Sequence, residues 1–497
     1  MNGLQHFPLG RRLPGSIHSV GVSLPTVADV RGYEEKRPET LAVVTTGYPR
    51  FIEHPYIGRL RTHLQDKWAV SDRLLAFVST LAAASDLLQF TGAGDARVRD
   101  LGMFAAVELP LDHEVVNRAT AYLQHTGAGI SSRAAEDALV AAGLLDEREA
   151  ENAIESGAAE YCKDKLRLLY ELESEDSILL CNSGMNAIYA LYTVISKRQE
   201  ARGRDVWIQL GWLYVDSIFV LEKFAGREGP RIFLDVFDLD AVGDYLDEHG
   251  KNVAGIITEV PTNPLMQTCD LPRLSSLARA HDIPVVVDPT MSSPHNVSVL
   301  PYADFVVNSL TKYAASEGDV LGGALVGNPQ SPFCKEILKS VAEARIRPYK
   351  RDLGRLAWEM RNYEDVADTM NANAEALVAF LQGRRNVRHV YWAGESRSKE
   401  NYQKIARRPN APGCVLTVVL NCPLADVYDR ARMAKSPSFG TTFTILSPYM
   451  YLAHYDCVVD REKSEFLRSH EIDPDLLRIS VGTEPAEDIL EAFGEVF

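Results

Sequence analysis

Residues 177–195, SILLCNSGMNAIYALYTVI, decide the fold of this 497-residue chain because they change from strand-like to helical periodicity within one turn. The apolar run SILLC predicts a buried strand, and Ile188, Leu191 and Ile195 recur at helical spacing after Gly184. A strand that runs through a glycine turn into a helix is the repeating unit of α/β folds. The backbone amides at the start of such a helix point at one spot and suit a phosphate group.

Further short apolar runs follow at the spacing of a βαβ protein. We expect them to be buried parallel strands with helices on both faces of the sheet: VWIQL, IFLDV, VAGIIT, PVVVD, DFVVN and GALVG. Residues 363–381 then carry one apolar helical face, which Gly383 ends. Strand-like CVLTVVL at 414–420 and LLRISV at 476–481, followed by an acidic terminal helix, predict a smaller C-terminal α+β domain.

The texture of the sequence divides the chain into four segments. Residues 1–60 are rich in Gly and Pro and predict an extended arm that contacts the neighbouring subunit. Residues 61–175 predict a mostly helical insert, 176–355 the α/β domain and 356–497 the C-terminal domain. The helical interpretation of the insert rests on the spacing of apolar residues, namely Leu74, Leu75, Val78, Leu81, Ala138, Leu139, Ala142 and Leu145.

The role of the insert stays open between a packing or oligomer contact and a site for an effector or partner. It contains two glycine pairs, Gly92 with Gly94 and Gly127 with Gly129. Neither pair stands between a strand and a helix in a GxGxxG context, so we interpret both as loops and reject dinucleotide binding.

Composition excludes several classes of function. The chain has 52 basic and 68 acidic residues, a net charge of −16, which repels the phosphates of nucleic acids. Its seven cysteines form no CxxC pair and its histidines no HExxH motif, so we expect neither a disulfide framework nor a metal site. No run approaches ~18 apolar residues, and Arg11 and Arg12 stand where a signal peptide would be apolar. We therefore expect a cytoplasmic protein without a membrane partner.

Three pieces of the sequence combine into one cofactor site. In DFVVNSLTKY, Lys312 follows a buried strand beside hydroxyl residues, which suits a Schiff-base nucleophile. In PVVVDPT, Asp288 closes another strand at the edge where α/β sheets bind ligands. Pyridoxal phosphate (PLP) needs such a lysine, an anion at its pyridine nitrogen and a phosphate cradle, which the turn at Gly184 supplies. The sequence therefore predicts PLP as the cofactor.

The motifs that carry this chemistry resemble the cystathionine γ-synthase family of Cys/Met-metabolism PLP enzymes. They occur in family order: GYPR at 47–50, NSGMNAI at 182–188, EVPTNP at 259–264, VVDPT at 286–290, NSLTKY at 308–313, VLGGALVGNP at 320–329 and LLRISVGTEP at 476–485. The stretches 18–36 and 438–456 are similar to the extended, fungal-type members. The resemblance implies the fold type I of PLP-dependent transferases (aspartate aminotransferase-like), with a mostly parallel seven-stranded sheet.

The resemblance also implies roles for individual residues. Lys312 would bind the cofactor covalently, Asp288 would pair with its ring nitrogen, and Tyr214 would stack on the ring and assist proton transfer. Arg478 would grip the substrate carboxylate in a bidentate pair. The remaining cofactor contacts would come from Gly184 and Met185 through backbone amides, from Asn263 at the ring 3-oxygen, and from Thr290, Ser309 and Thr311.

Members of this family share active sites between subunits. Tyr48 and Arg50 match a Tyr-x-Arg motif that reaches the cofactor phosphate of the partner subunit. The resemblance therefore implies a homodimer or a homotetramer built as a dimer of dimers, and amino acids as small-molecule substrates.

The implied reaction is γ-replacement on an activated homoserine through a vinylglycine-type intermediate, with cysteine as the nucleophile. Thr442-Phe443-Thr444 departs from the family pattern, because Phe443 stands where many members have an acidic residue. We expect this loop, with Thr444, to contact substrate and to change its selection. Alternatives left open are another leaving group, a sulfide or carbon nucleophile, γ-elimination, and a non-catalytic relative in which the insert is a binding module.

Overall fold

The computed structural model describes residues 1–48, 51–225 and 229–497, and its N-terminal segment lies against the C-terminal domain. Val22 and Leu24 belong to the same apolar cluster as Leu416 and Phe493, and the Tyr428 hydroxyl donates to the Leu24 carbonyl over 2.8 Å. The predicted extended arm is therefore anchored to its own chain, and it is partly helical. Its elements are β1 (Arg12–Leu13), β2 (Gly21–Val22), α1 (Val27–Glu34) and α2 (Pro38–Leu41).

Residues 55–141, called the insert unit below, form a small α/β sandwich. A three-stranded antiparallel sheet has α4 and α5 on one face and α3 and α6 on the other, each side sealed by its own apolar cluster. The elements are α3 (Pro55–Trp68), β3 (Arg73–Val78), α4 (Leu81–Thr91), β4 (Arg97–Asp100), β5 (Ala105–Pro110), α5 (His113–Thr126) and α6 (Ser132–Ala141).

The prediction of a mostly helical insert was therefore wrong in one part. Leu74, Leu75 and Val78 lie in β3, because a continuous apolar run of strand length has no periodicity that separates a strand from a buried helix. The boundaries also differ. Residue 60 lies inside α3, and α7 (Ala158–Leu169) packs into the main core of the large domain rather than the insert unit.

A seven-stranded sheet organises the large domain. In the described residues its strands are ordered β6-β12-β11-β10-β9-β7-β8, with apolar clusters on both faces. The elements are β6 (Ile178–Cys181), α8 (Gly184–Glu200), β7 (Val206–Leu210), α9 (Val215–Lys223), β8 (Arg231–Phe233), α10 (Leu239–His249), β9 (Val253–Glu259), α11 (Leu271–Ala280), β10 (Val285–Asp288), β11 (Phe305–Ser309), β12 (Gly323–Gly327), α12 (Cys334–Ala344) and α13 (Lys350–Glu359). Fold type I with a mostly parallel sheet is confirmed.

One strand departs from the parallel arrangement that we predicted. β12 runs antiparallel to both of its neighbours, β11 and β6. A parallel return needs a long crossover, usually through a helix, whereas residues 310–322 hold only a short 3-10 turn at Tyr313–Ala315. This irregular connection carries Lys312 out of the sheet edge.

The C-terminal domain is a five-stranded sheet covered by helices. The predicted helix over 363–381 is present as α14, and the sheet order is β13-β14-β17-β16-β15. The elements are α14 (Tyr363–Leu381), β13 (Val387–Tyr391), α15 (Lys399–Gln403), β14 (Val415–Leu420), α16 (Leu424–Tyr428), β15 (Ala434–Lys435), β16 (Ile445–Ser447), α17 (Tyr449–Ala453), α18 (Tyr455–Val459), α19 (Arg461–Ser469), β17 (Leu477–Ser480) and α20 (Ala486–Gly494).

Buried ion pairs join the insert unit to the large domain. Arg133 of α6 is 1% exposed and lies 3.2 Å from the Asp352 carboxylate of α13. Arg351 of α13 pairs in turn with Glu136 and Asp137 of α6. Charges this deep are tolerated only when they are paired, so the two helices depend on each other.

The described residues contain no helix that is long and apolar enough to cross a membrane. The seven cysteines are free thiols. Within the same residues, His, Cys, Asp and Glu side chains form no group of three or more that could hold a metal ion.

Candidate active site

A cavity of about 120 Å³ lies where the strands of the large sheet end and the C-terminal domain covers them. Its floor comes from residues at or just beyond the carboxyl ends of β6, β7, β9, β10 and β11, the edge at which α/β sheets bind ligands. Of the residues predicted to form the site, the cavity gathers Tyr48, Gly184, Met185, Tyr214, Asn263, Asp288, Thr290, Ser309, Lys312 and Arg478.

Lys312 is held by a loop of the C-terminal domain. Its Nζ donates to the Ser438 hydroxyl over 2.7 Å and lies 5.0 Å from the Tyr48 ring centre and 4.9 Å from that of Phe439. Ser438 has φ +95°, a conformation that a residue with a side chain rarely adopts. Such strain persists only where the surroundings enforce it, and here it directs the hydroxyl at the lysine.

Arg478 is buried on the opposite side of the same loop. Its Nη2 donates to the Ser438 carbonyl over 3.0 Å and its Nη1 to Asn263 Oδ1 over 3.2 Å. Burial lowers the pKa of its guanidinium. The buried Nε finds no hydrogen-bond partner among the described residues, so a substrate carboxylate would satisfy a donor that the chain itself leaves unused.

Two carboxyl groups share the floor of the cavity. Asp288 and Glu259 stand opposite each other in the β10–β9 register, where Glu259 is buried and Asp288 is half-buried. Burial raises the pKa of Asp288 to about 6, and burial together with the Asp288 charge raises the pKa of Glu259 well above its usual value. A cationic ring nitrogen beside Asp288 would favour its ionised form.

Replacing Asp288 by asparagine tests this burial in the chain without cofactor. The folded-state pKa of about 6 exceeds the unfolded value, so the wild type binds a proton more tightly when folded. The contribution of Asp288 to the free energy of unfolding is largest below about pH 4. It falls by roughly 3 kcal/mol as the pH rises to about 6. Chemical denaturation of both proteins should show Asp288→Asn gaining relative stability over that window. A stability difference independent of pH would contradict the expectation.

The predicted phosphate cradle lies at the start of α8. Ser183 caps the helix by accepting from the Asn186 amide, and Gly184 and Met185 follow as its first residues. A Cβ on Gly184 would stand 2.8 Å from the Ser309 Cβ, so only glycine fits at this contact. These amides and the Ser309 hydroxyl would hold the phosphate.

Two hydroxyls predicted to bind cofactor have partners inside the protein. Thr290 Oγ1 accepts from the Ser309 amide over 2.9 Å, while the Thr290 amide donates to Asp288 over 2.8 Å. Thr290 thus ties the acid to the cradle. Thr311 is outside the lining, and its hydroxyl exchanges hydrogen bonds with the backbone of Gly322. Its contact with cofactor stays a prediction.

The aromatic residues come from two different segments. The Tyr214 amide donates to the Glu259 carboxyl group over 2.6 Å, which fixes the tyrosine at the start of α9. Tyr48 lines the cavity of its own chain. Its expected contact with the cofactor phosphate of a partner subunit stays a prediction. Arg50, predicted with it, lies outside the described residues.

The loop predicted to select substrate does not reach the cavity. Thr444 Oγ1 donates to the Glu484 carboxylate over 2.9 Å, and Phe443 packs with Leu13 and Ile445 in a separate apolar cluster. Neither residue lines the cavity, so the expected contact of Thr444 with substrate was wrong. The reason is that buried hydrogen bonds to Glu484 turn this stretch toward the interior of the C-terminal domain.

Sequence reasoning missed two residues of the site. Ser438 stands 126 positions from Lys312, and nothing in its local sequence indicates that its backbone bends it toward the lysine. Glu259 could have been found, because it ends a predicted strand next to the one that Asp288 ends, and neighbouring parallel strands end side by side.

These residues fit PLP. The cavity brings together a half-buried lysine, a half-buried acid, a glycine cradle that admits no side chain, and a guanidinium with an unused donor. When bound, the cofactor supplies an electron sink for charge that develops at the substrate Cα.

Comparison with known proteins agrees with this geometry. The family model for "Cys/Met metabolism PLP-dependent enzyme" matches residues 165–497. A curated protein of Streptantibioticus cattleyicolor, named L-2-amino-4-chloropent-4-enoate dechlorinase/desaturase, is 38% identical, over 98% of this chain and 97% of its own. The cystathionine γ-synthase of Neurospora crassa is 28% identical, again over 98% of this chain and 97% of its own.

Solved structures show the fold. A cystathionine γ-lyase of Micromonospora echinospora superposes with a TM-score of 0.58 at 23% identity, covering 66% of this chain and 83% of its own. The structure of metB from Corynebacterium glutamicum gives 0.57 at 22% identity, covering 66% and 82%. About a third of this chain lies outside these superpositions.

Proposed function

Because the chain belongs to the Cys/Met metabolism PLP-dependent enzyme family, we propose that it eliminates a leaving group from Cγ of a compact α-amino acid. The charge of the cavity wall carries the proposal. Among the described lining residues, Lys312 and Arg478 are the only basic side chains. One substrate carboxylate finds a partner there in Arg478, whereas the part of the lining that the structure describes offers no further guanidinium for the carboxylate of a second amino acid.

The rest of the wall supports a halogenated or unsaturated side chain. Phe51, Ile188, Leu452 and Ala453 present apolar surface to the cavity. A halide leaves as a stable anion and needs no acid to protonate it. The S. cattleyicolor relative is named for a substrate with chlorine on Cγ, which makes γ-chloro amino acids the first substrate class to test.

Each residue then has a defined task. Arg478 binds the substrate carboxylate, and Ser438 holds both Arg478 and Lys312 in place. Lys312 Nζ takes the proton from Cα. The C–Cl bond breaks with its electron pair on chloride, and a second proton leaves the side chain, whose C–H electrons form the new π bond. Lys312 then returns the first proton to Cα. The net loss is HCl.

The test is a substrate panel in which the released groups are measured directly. We expect L-2-amino-4-chloropent-4-enoate to release chloride, measured by ion chromatography, at a rate that does not depend on added cysteine. Mass spectrometry should show a product lighter by HCl. Release that requires cysteine, or no release at all, would contradict the proposal.

γ-Replacement with cysteine is the second candidate. It is favoured by the match to the Neurospora crassa cystathionine γ-synthase along 98% of this chain. The same panel separates the two reactions, because O-acetyl- or O-succinyl-homoserine should then yield cystathionine only when cysteine is present. Formation of cystathionine together with inert chloro substrates would establish this candidate in place of the first.

A further inference from the structure

The C-terminal end of α5 in the insert unit touches both helices that begin at the cofactor site. Residues 125–127, called the 125–127 turn below, follow one another without a gap from the last turn of α5 into its cap. On one side they contact the start of α8, and on the other the start of α9. α8 carries the predicted phosphate cradle, and α9 begins directly after Tyr214.

The contact with α8 is made by backbone carbonyls and a glycine. Asn182 Nδ2 donates to the Gly127 carbonyl over 2.8 Å, and Asn186 Nδ2 donates to the Thr126 carbonyl over 3.3 Å. A Cβ on Gly127 would stand 2.4 Å from the Ser183 Oγ and 3.2 Å from the Asn186 amide nitrogen. Ser183 is the N-cap of α8, and Gly184 is the first residue of that helix. Gly127 of the turn therefore lies against the residue that precedes the phosphate cradle.

The contact with α9 is a chain of three polar groups, of which His125 and Asp216 are buried and Lys223 is exposed. The Lys223 ammonium lies 2.9 Å from His125 Nε2, and His125 Nδ1 lies 2.8 Å from Asp216 Oδ1. An ammonium can only donate, so Nε2 accepts and Nδ1–H donates to the carboxylate. His125 and Asp216 are 2% and 0% exposed, which makes their pairing obligatory. Asp216 is the second residue after Tyr214.

We propose that the 125–127 turn is a positioning element for PLP. Gly127 holds the phosphate cradle in position, and His125, through Asp216, holds Tyr214 in position to stack on the ring. The insert unit thereby acts on the cofactor without touching it. This inference requires that PLP binds in the cavity, but it does not depend on the reaction proposed above. Its test is therefore independent of the test of γ-elimination.

Gly127→Ala tests the phosphate side, with Gly92→Ala as its matched control. Both glycines cap helices of the insert unit with nearly the same backbone, φ +68° and +67°, so alanine adds equal strain. A Cβ on Gly92 meets no atom within 4 Å, whereas one on Gly127 meets Ser183. Only Gly127→Ala should therefore disturb the cradle.

The measurement is the dissociation constant of the apoenzyme for PLP and for pyridoxal, which lacks the phosphate. For Gly127→Ala we expect the PLP constant to rise about tenfold to a hundredfold, the equivalent of one charge-assisted hydrogen bond, with little change for pyridoxal. Gly92→Ala should change neither constant. Equal PLP constants for the two variants, or an equal loss of PLP and pyridoxal in Gly127→Ala, would overturn the proposal.

His125→Leu tests the ring side independently. It removes the donor to Asp216, and since Tyr214 serves the ring, PLP and pyridoxal should both bind more weakly and by a similar factor. Thermal unfolding of each apoprotein shows that the variants are folded at the temperature of the titration. Unchanged affinity for both compounds in folded His125→Leu would exclude the link through Asp216.

Discussion

Lys312→Ala should lose the visible absorption band of the lysine-bound cofactor and at least ~10²–10⁴-fold of turnover. Lys312 is the one lysine of the described lining, and its Nζ is fixed by the Ser438 hydroxyl at 2.7 Å, so the variant loses the only amine there that could bind the cofactor covalently. The absorption spectrum and product formation from the γ-chloro substrate measure the two effects separately.

The matched control is Lys339→Ala, which removes an exposed lysine of α12. This variant should keep both the absorption band and the turnover of the wild type. Circular dichroism should show that both variants retain the secondary structure of the wild type. A Lys312→Ala protein that turned over at the wild-type rate would refute the assignment of the site.

Arg478→Lys should lower kcat/KM by about 10²–10⁴-fold although it keeps a positive charge. A guanidinium can hold both oxygens of a carboxylate in parallel hydrogen bonds, and each charge-assisted bond contributes roughly 1.5–3 kcal/mol. Lysine also cannot keep the two existing bonds to Asn263 Oδ1 and the Ser438 carbonyl in the same geometry. Steady-state kinetics over a wide range of substrate concentration gives the value.

A substrate analogue and a control variant make this prediction specific. An amine that lacks the α-carboxylate should react equally slowly with the wild type and with Arg478→Lys. Arg432→Lys alters a surface arginine paired with Glu495 and should leave kcat/KM unchanged. If Arg478→Lys kept the wild-type kcat/KM, Arg478 would not be the carboxylate-binding residue.

Much of the large domain could be predicted because its local signals agree with its tertiary structure. The turn at Gly184 and the end of α14 before Gly383 were both readable from periodicity and glycine placement. The direction of β12 was not, because apolar content does not distinguish parallel from antiparallel strands. That direction depends on residues 310–322, whose path is determined by tertiary contacts.

The site divides in the same way. Lys312, Asp288 and Arg478 could be predicted because each brings chemistry that few other side chains supply, and the structure places all three in one cavity. Ser438 could not, since its contribution depends on a backbone angle of +95° rather than on its residue type. Thr444 was assigned to the site from its position in the sequence alone. In the structure its hydroxyl donates to Glu484 instead of reaching the cavity.

The buried ion pairs between α6 and α13 limit how this chain can be recombined with shorter members of its family. Excising residues 55–141 would remove Arg133 and leave the buried Asp352 carboxylate without its cation. A buried charge that loses its partner costs roughly 3–5 kcal/mol, a large share of the stability of an ordinary domain. A chimaera that donates or receives the insert unit must therefore exchange α13 along with it.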